Sequence, residues 1–125
     1  MPSVALDRAF LESVYVGEDL DGFARFVARA ALDPNFLVFA ERPATLGVLE
    51  LGRDCYDLGK TAYGHHLVGD WRLLPKALRH VQALKHRAFL YPIRAGRSNT
   101  FDLFNVLTKR HGFEPYHAVL VKRFG

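Results

Sequence analysis

The chain of 125 residues contains a single cysteine, Cys55, and therefore cannot form an internal disulfide. This scarcity is typical of proteins that fold in a reducing compartment. The sequence also lacks any apolar stretch near the roughly 18 uninterrupted residues that a membrane span requires. Residues Met1–Arg8 lack the basic and apolar regions of a signal peptide. We therefore expect a small cytoplasmic protein without a membrane partner.

Acidic residues are scarce in the second half of the sequence. Residues 71–125 contain 11 Lys/Arg and 2 Asp/Glu, whereas residues 1–70 contain 6 Lys/Arg and 11 Asp/Glu. The net charge of +4 thus combines balances of +9 and −5. A basic surface can contact the phosphates of a cofactor, a nucleic acid or an acidic protein. It can also be a solvated surface with no dedicated partner.

Hydrophobic periodicity predicts the order of helices and strands. Apolar residues at helical spacing predict helices over residues 6–14, 18–32 and 73–86, and a fourth helix that begins at Ser98 or Asn99 and ends at Gly112. Runs of strand-forming residues predict strands over residues 36–40, 45–51, 62–68, 88–93 and 117–124. This order predicts one α/β (α+β) domain over residues 1–125. Its sheet is mixed and mostly antiparallel, with helices on both faces.

The segment from Asn99 to Phe113 resembles the end of a GNAT (N-acetyltransferase) domain. In that family an Asn opens a helix that closes on a Lys-x-x-Gly-Phe-like sequence, which is here Lys109-Arg110-His111-Gly112-Phe113. The hairpin that contains Thr45-Leu46-Gly47-Val48 is similar to the central hairpin of the family. The order of elements matches from residue 18 to residue 125. The resemblance implies a GNAT-like fold, with acetyl-CoA as the cofactor of its active members.

The pyrophosphate loop of the family, R/Q-x-x-G-x-G/A, corresponds here to His66-Leu67-Val68-Gly69-Asp70-Trp71. Small residues in this loop let backbone N–H groups approach the pyrophosphate at a helix N-terminus. Gly69 matches the motif, whereas His66 replaces Arg or Gln and Trp71 replaces a small residue. The resemblance therefore implies a degenerate cofactor site made of His66, Gly69, Asp70, Trp71 and Asn99. We expect no cofactor to bind, and acetyl-CoA belongs only to the alternative of an active enzyme.

The catalytic groups implied by the resemblance are also altered. The general acid of the family is often a Tyr four residues before the Gly of Gly-Phe, where this sequence has Thr108, whose hydroxyl is too weak an acid. Tyr91, Tyr116 or His111 could replace it, or each could be a packed aromatic or an exposed loop residue. The general base, commonly a Glu on a middle strand, could be Glu50, or Glu50 could be an exposed strand carboxylate. Glu50 and Tyr116 are the candidate catalytic residues.

The sequence also contains residue types that occur in metal sites and a single cysteine that could be a nucleophile. His65, His66, Cys55, Asp54 and Asp57 are metal-ligand types, but their spacing matches no zinc motif, so we expect no metal. Cys55 lacks a recognisable nucleophile signature and is interpreted as an idle or buried thiol.

The predicted helix over residues 73–86 has a basic outer surface. It and the residues that follow carry Lys76, Arg79, His80, Lys85 and Arg87. The sequence contains no helix-turn-helix partner and no RNA-binding signature, so it does not predict nucleic-acid binding.

The segment Asp70-Trp71-Arg72-Leu73 with Lys76, Ala77 and Arg79 is similar to the same segment in small GNAT-like proteins of short-tailed bacteriophages. Those proteins are head-assembly accessories or internal virion proteins. The resemblance implies a non-catalytic protein of the host cytoplasm and the virion that binds virion proteins. The alternative is an active acetyl-CoA-dependent N-acetyltransferase with an unknown acceptor. A homo-oligomer is compatible with both hypotheses.

Overall fold

The computed structural model describes residues 5–15, 17–54, 58–69, 73–93, 100–116 and 120–124. The chain forms two compact units, Met1–Pro92 and Ile93–Gly125. The first unit contains α1 (Arg8–Val14), α2 (Leu20–Leu32), β1 (Phe36–Glu41), β2 (Thr45–Asp54), β3 (Lys60–Val68), α3 (Leu73–Ala83) and β4 (Ala88–Leu90), and the second contains α4 (Thr100–Arg110). That the two units form one domain stays a prediction.

The four strands form one sheet in the order β1-β2-β3-β4. Strands β1, β2 and β3 pair antiparallel, and β4 pairs parallel with β3. A parallel neighbour requires a crossover connection, which α3 provides. The predicted mixed and mostly antiparallel sheet is therefore confirmed.

The helices of the first unit cover both faces of the sheet, because successive strand residues point to opposite faces. On one face α1 and α2 pack on the strands through the buried residues Phe10, Leu11, Val14, Val27, Ala30, Val38, Ala40, Leu46 and Val48. On the other face α3 packs over Phe39 and Gly47. The ring of His80 lies edge-on to the ring of Phe39 at 6.5 Å between centroids. A Cβ on Gly47 would lie 3.1 Å from Leu73 Cδ2, so glycine makes room for α3.

Side-chain caps fix where α1 and α2 begin. Asp7 Oδ1 accepts a hydrogen bond from the Phe10 N–H at 2.8 Å, and Asp19 Oδ1 accepts one from the Gly22 N–H at 2.8 Å. Each carboxylate satisfies a backbone donor that has no partner inside its helix. The prediction of a helix over residues 18–32 is confirmed to within two residues at its start.

Two bulges interrupt the ladder between β2 and β3. Val48 pairs with His66 and Leu49 with Gly64, so that His65 is an extra residue in β3. Further along, β2 carries one extra residue between Glu50 and Arg53. Gly52 lies at this second bulge with φ of +70° and donates its N–H to His86 Nε2 at 2.8 Å. An extra residue in one strand turns neighbouring side chains toward the same face.

Helix α3 ends in a left-handed turn at Lys85, which has φ of +65°. The Lys85 N–H bonds to the Gln82 carbonyl at 3.0 Å, and the His86 N–H bonds to the Val81 carbonyl at 3.2 Å. This is the Schellman pattern, in which glycine normally takes the left-handed position. The helix therefore ends at Ala83, three residues before the predicted boundary.

One predicted strand is wrong. Residues 120–124 form no strand, and residues 117–119 of that prediction lie outside the described residues. A segment rich in strand-forming residues becomes a strand only when a neighbouring strand completes its backbone hydrogen bonds. No described strand pairs with residues 120–124. The predicted strand over residues 88–93 is shortened to its first three residues.

The predicted fourth helix is present as α4, which begins at Thr100 and ends at Arg110, while its predicted caps at Ser98 and Asn99 lie outside the described residues. Gly112 follows with φ of +72°, as expected for the residue that terminates a helix. In the described part of the chain, no helix has both the length and the apolar content needed to cross a membrane.

Lys85→Gly is expected to raise the free energy of unfolding by about 1 kcal/mol, because a left-handed residue with a Cβ costs roughly 1–2 kcal/mol and glycine recovers most of this. Urea denaturation measures the change. Lys85→Ala is the matched control: it removes the same charge but keeps the Cβ, and it should gain far less. Equal gains for both variants would show that charge repulsion is relieved and that the backbone is not strained.

His86 is expected to make stability fall in mildly acidic solution. Burial, and then the nearby charge of Lys60, lower the pKa of His86 below its ordinary value of 6.5. Nε2 accepts from the Gly52 N–H, so the neutral ring carries its proton on the buried Nδ1, and the nearby Val81 and Leu84 carbonyls offset only part of the lowering. As pH falls below 6.5 the unfolded chain therefore binds a proton before the folded chain does.

The stabilisation by His86 should thus be complete above pH 6.5 and decrease as pH falls. The measurement is the free energy of unfolding of the wild type and of His86→Gln between about pH 7.5 and pH 5. The wild type should lose its advantage over the variant on the acidic side, since glutamine cannot be protonated there. A constant difference across this range would contradict the assignment.

Candidate functional site

The predicted site residues are distributed over both units of the chain. Glu50 is in β2, and His66 and Gly69 are at the end of β3 and directly after it, all in the first unit. Tyr116 follows α4 in the second unit and is exposed. Asp70, Trp71 and Asn99 lie outside the described residues.

His66 is held by the helices that cover the sheet. Its Nε2 lies 3.1 Å from the carbonyl oxygen of Val14 at the end of α1. Its ring packs on the ring of Phe23 from α2, with 4.8 Å between the centroids. These contacts give His66 a structural role at the position where the GNAT motif has Arg or Gln. They connect α1, α2 and β3 through one side chain.

Gly69 is required by a close approach to the β1–β2 turn. Its φ is +107°, a value that residues with a side chain rarely adopt. A Cβ on Gly69 would collide with the carbonyl oxygen of Ala44 and would lie 2.6 Å from Thr45 Cα. The glycine that matches the pyrophosphate motif therefore has a sufficient explanation in the packing of the chain against itself.

Thr108 uses its hydroxyl inside α4. Its Oγ1 donates to the Phe104 carbonyl at 2.8 Å, one turn earlier in the helix. Such a bond is common for a threonine in a helix interior. Thr108 therefore cannot replace the Tyr that the family often has at this position. Its hydroxyl is too weak an acid, and it already donates a hydrogen bond within the helix.

Glu50 and His65 form a hydrogen-bonded pair on the face covered by α2. Glu50 Oε1 lies 2.8 Å from His65 Nε2, and the side chains are 29% and 25% exposed. Arg53 places Nη1 3.6 Å from the same carboxylate oxygen and lies over the Tyr63 ring at 4.5 Å. A carboxylate that accepts from Nε2–H fixes the neutral imidazole in the tautomer whose Nδ1 can accept a proton. This arrangement is chemically competent for acid–base work.

Aromatic rings surround the imidazole of His65. The ring centroids of Tyr63, Phe26 and Phe36 lie 4.7, 5.3 and 5.7 Å from its own. The extra residue in β3 explains this environment, because it turns both His65 and His66 toward α2. The sequence identified Glu50 as a candidate but did not connect it with Arg53 or Tyr63. Strict alternation along the strands does not reveal a bulge.

The metal-ligand residue types of the sequence do not form a cluster in the described part of the chain. Among the described residues, no three His, Cys, Asp or Glu side chains are arranged to hold a metal ion. Cys55 and Asp57 lie outside these residues.

Gly69→Ala is expected to lower the free energy of unfolding by about 3 kcal/mol, since it combines left-handed strain with a collision against the β1–β2 turn. Gly52→Ala is the matched control in the same unit. Gly52 also has a positive φ, but its added Cβ would meet nothing within 4 Å. The control should lose only about 1 kcal/mol. Chemical denaturation measures both, and equal losses would refute a steric requirement at Gly69.

No protein-family model, curated protein or solved structure matches the chain. The resemblance to the GNAT superfamily therefore stays a prediction.

Proposed function

We propose that this chain is a GNAT-like protein that does not use acetyl-CoA and acts by binding protein partners, as a head-assembly or internal virion component of a bacteriophage. The observation that carries the proposal is the environment of His66 and Gly69, the two outer described positions of the pyrophosphate motif. His66 bonds to the Val14 carbonyl and packs on Phe23, and Gly69 adjoins the β1–β2 turn. Both residues are explained without a cofactor.

The two following residues of the motif oppose a pyrophosphate on chemical grounds. Asp70 brings a negative charge to a position that would adjoin the charged phosphates, and like charges at short range repel. Trp71 brings an indole to a position where the motif requires Gly or Ala so that backbone N–H groups can approach the ligand. Each change by itself weakens binding, and they occur in adjacent residues.

The candidate for the general acid supports the same proposal. Thr108 has no acidic hydroxyl and donates it to the Phe104 carbonyl. Tyr116 is an exposed residue of the second unit and has interactions of its own. The involvement of virion proteins as partners rests on the similarity of the segment that begins at Asp70 to phage proteins.

A second candidate function is an active acetyl-CoA-dependent N-acetyltransferase, and the Glu50–His65 pair favours it. In this alternative the carboxylate of Glu50 orients the ring of His65, and Nδ1 takes the proton that the acceptor amine loses as it attacks the acetyl carbon. The thiolate of CoA leaves and takes up a proton from solvent. Acetyl-CoA binding is the property that separates the two functions.

A thermal-shift titration with acetyl-CoA and CoA tests the proposal. The wild type should show no stabilisation up to about 1 mM ligand, whereas Trp71→Gly should be stabilised if the indole alone blocks an otherwise intact cleft. A ligand at 100 times its Kd adds about 2.7 kcal/mol to the free energy of unfolding. Trp71→Phe is the matched control, because it keeps a large ring and should behave like the wild type.

Stabilisation of the wild type by acetyl-CoA would contradict the proposal. Acetyl transfer to an amine by the wild type, lost in Glu50→Gln while the acetyl-CoA shift remains, would then establish the second function. Co-purification with capsid, portal or tail material would support the proposed partner class. Recovery of the protein only in the free cytosolic fraction of infected cells would count against that class.

A further inference from the structure

Helix α3 and the connection from α3 to β4 expose cations in a stretch of sequence that contains no carboxylate. Residues 73–93 contain no Asp or Glu. The exposed cations of this region of the first unit, here called the cationic surface, are Lys60, Lys76, Arg79, Lys85 and Arg87. The described ion pairs all involve Arg8 or Glu50, so no member of the cationic surface is paired with a described carboxylate.

The packing of α3 directs two of these cations outward. Leu74, Ala77 and Val81 are buried against the sheet. Lys76 and Arg79 lie on the opposite side of the helix, three residues apart and therefore adjacent on its surface. The points at which they join the backbone are held by a helix whose other side belongs to the core.

The other three cations surround the C-terminal end of α3. Lys60 Nζ donates to the Leu84 carbonyl at 3.2 Å, and the Arg87 N–H donates to the Lys60 carbonyl at 2.8 Å. Lys85 lies between these two positions, directly after the helix. The negative end of a helix dipole favours nearby cations, which explains part of this concentration of charge. It does not explain why a lysine takes the left-handed position.

Lys85 retains a side chain where the backbone favours glycine. Its φ of +65° is a conformation that costs free energy for any residue with a Cβ. Local strain of this kind is often kept where the side chain has a function. The feature that the lysine adds to this turn is a positive charge next to those of Lys60 and Arg87.

We propose that the cationic surface binds the phosphodiester backbone of a nucleic-acid duplex without reading its sequence. The isoelectric point of about 9.5 and the clustering of cations on one side of the sheet are typical of such proteins. Protein interfaces instead place apolar or aromatic anchors at their centre. Here Leu84 is the one exposed large apolar side chain among described residues 58–93. Single-stranded binding requires aromatic platforms for the bases, and among described residues 58–69 and 73–93 His80 is the one exposed ring.

The proposal does not depend on the protein-binding function proposed above. The absence of a helix-turn-helix or RNA-binding signature in the sequence concerns base recognition. Contacts with phosphates require only cations at suitable positions and release counterions from the duplex. They supply affinity and register but no sequence preference.

The proposal is tested by fluorescence anisotropy with a labelled duplex DNA of about 20 base pairs. The protein is titrated into the duplex at several NaCl concentrations between about 50 and 200 mM. If all five cations contact phosphates, log K against log salt should have a slope of about −4.5. Lys76→Glu/Arg79→Glu should weaken binding at least ~10-fold and make the slope shallower by about 2. Arg25→Glu/Arg29→Glu is the matched control, since it changes the same charge at exposed positions of α2 on the opposite face of the sheet. The control should bind within about threefold of the wild type.

Lys85→Gly separates binding from folding, because it should strengthen the fold and yet weaken binding by roughly threefold with a slope shallower by about 1. Equal losses in the α2 control and the α3 variant would overturn the proposal, since they would reflect net charge alone. Unchanged binding in both α3 variants would also overturn it. Displacement of the duplex by polyglutamate at equal charge concentration would assign the surface to an acidic protein instead.

Discussion

One extra residue in β3 determines which side chains of that strand meet the helical layer of α1 and α2. Because His65 has no partner in β2, both His65 and His66 turn toward α2. His66 then reaches the last carbonyl of α1 and the Phe23 ring of α2, and His65 reaches Glu50. A regular ladder would send one of the two histidines to the face covered by α3. Both histidine rings thereby make a hydrogen bond at the edge of the apolar core.

Gly69, in the same region, matches a ligand-binding motif for a reason that concerns folding. A loop that binds a pyrophosphate requires glycine so that the backbone can approach the ligand. Gly69 is glycine here because the backbone approaches the β1–β2 turn, where a Cβ would collide. A matching glycine is therefore weak evidence for a cofactor until its φ and its neighbours are known. The fold of the chain needs Gly69 whether or not the loop binds a ligand.

The strongly periodic parts of the chain were predictable from sequence, and the irregular parts were not. Helix α2 and strand β1 follow the predicted boundaries to within two residues, since apolar periodicity and Asp19 mark them. Strand β2 runs three residues beyond its predicted end because the bulge at Gly52 lets it continue. Helix α3 ends early because Lys85 adopts a conformation for which lysine has no propensity. Residues 120–124 form no strand, because strand-forming residue types do not by themselves provide a neighbouring strand to pair with.

The arrangement of the candidate site was likewise only partly predictable from the sequence. Glu50 was identified from its residue type and its place on a middle strand, but its pairing with His65 was not predicted. The pairing depends on a register shift, which leaves no mark in the alternation of polar and apolar residues. The cationic surface was visible in the sequence as a basic helix. Its continuation to Lys60 required the sheet that brings the start of β3 to the end of α3.

The central claim is that the protein binds nucleic acid through the cationic surface and does not bind acetyl-CoA. Its most direct test is nuclear magnetic resonance of the ¹⁵N-labelled protein, titrated in turn with acetyl-CoA and with duplex DNA. The account predicts that acetyl-CoA leaves the amide signals of residues 66–69 unchanged. It predicts that the duplex shifts the signals of residues 76–87 and leaves those of α2 in place. Saturable shifts at residues 66–69 with acetyl-CoA, together with no response of α3 to the duplex, would contradict it.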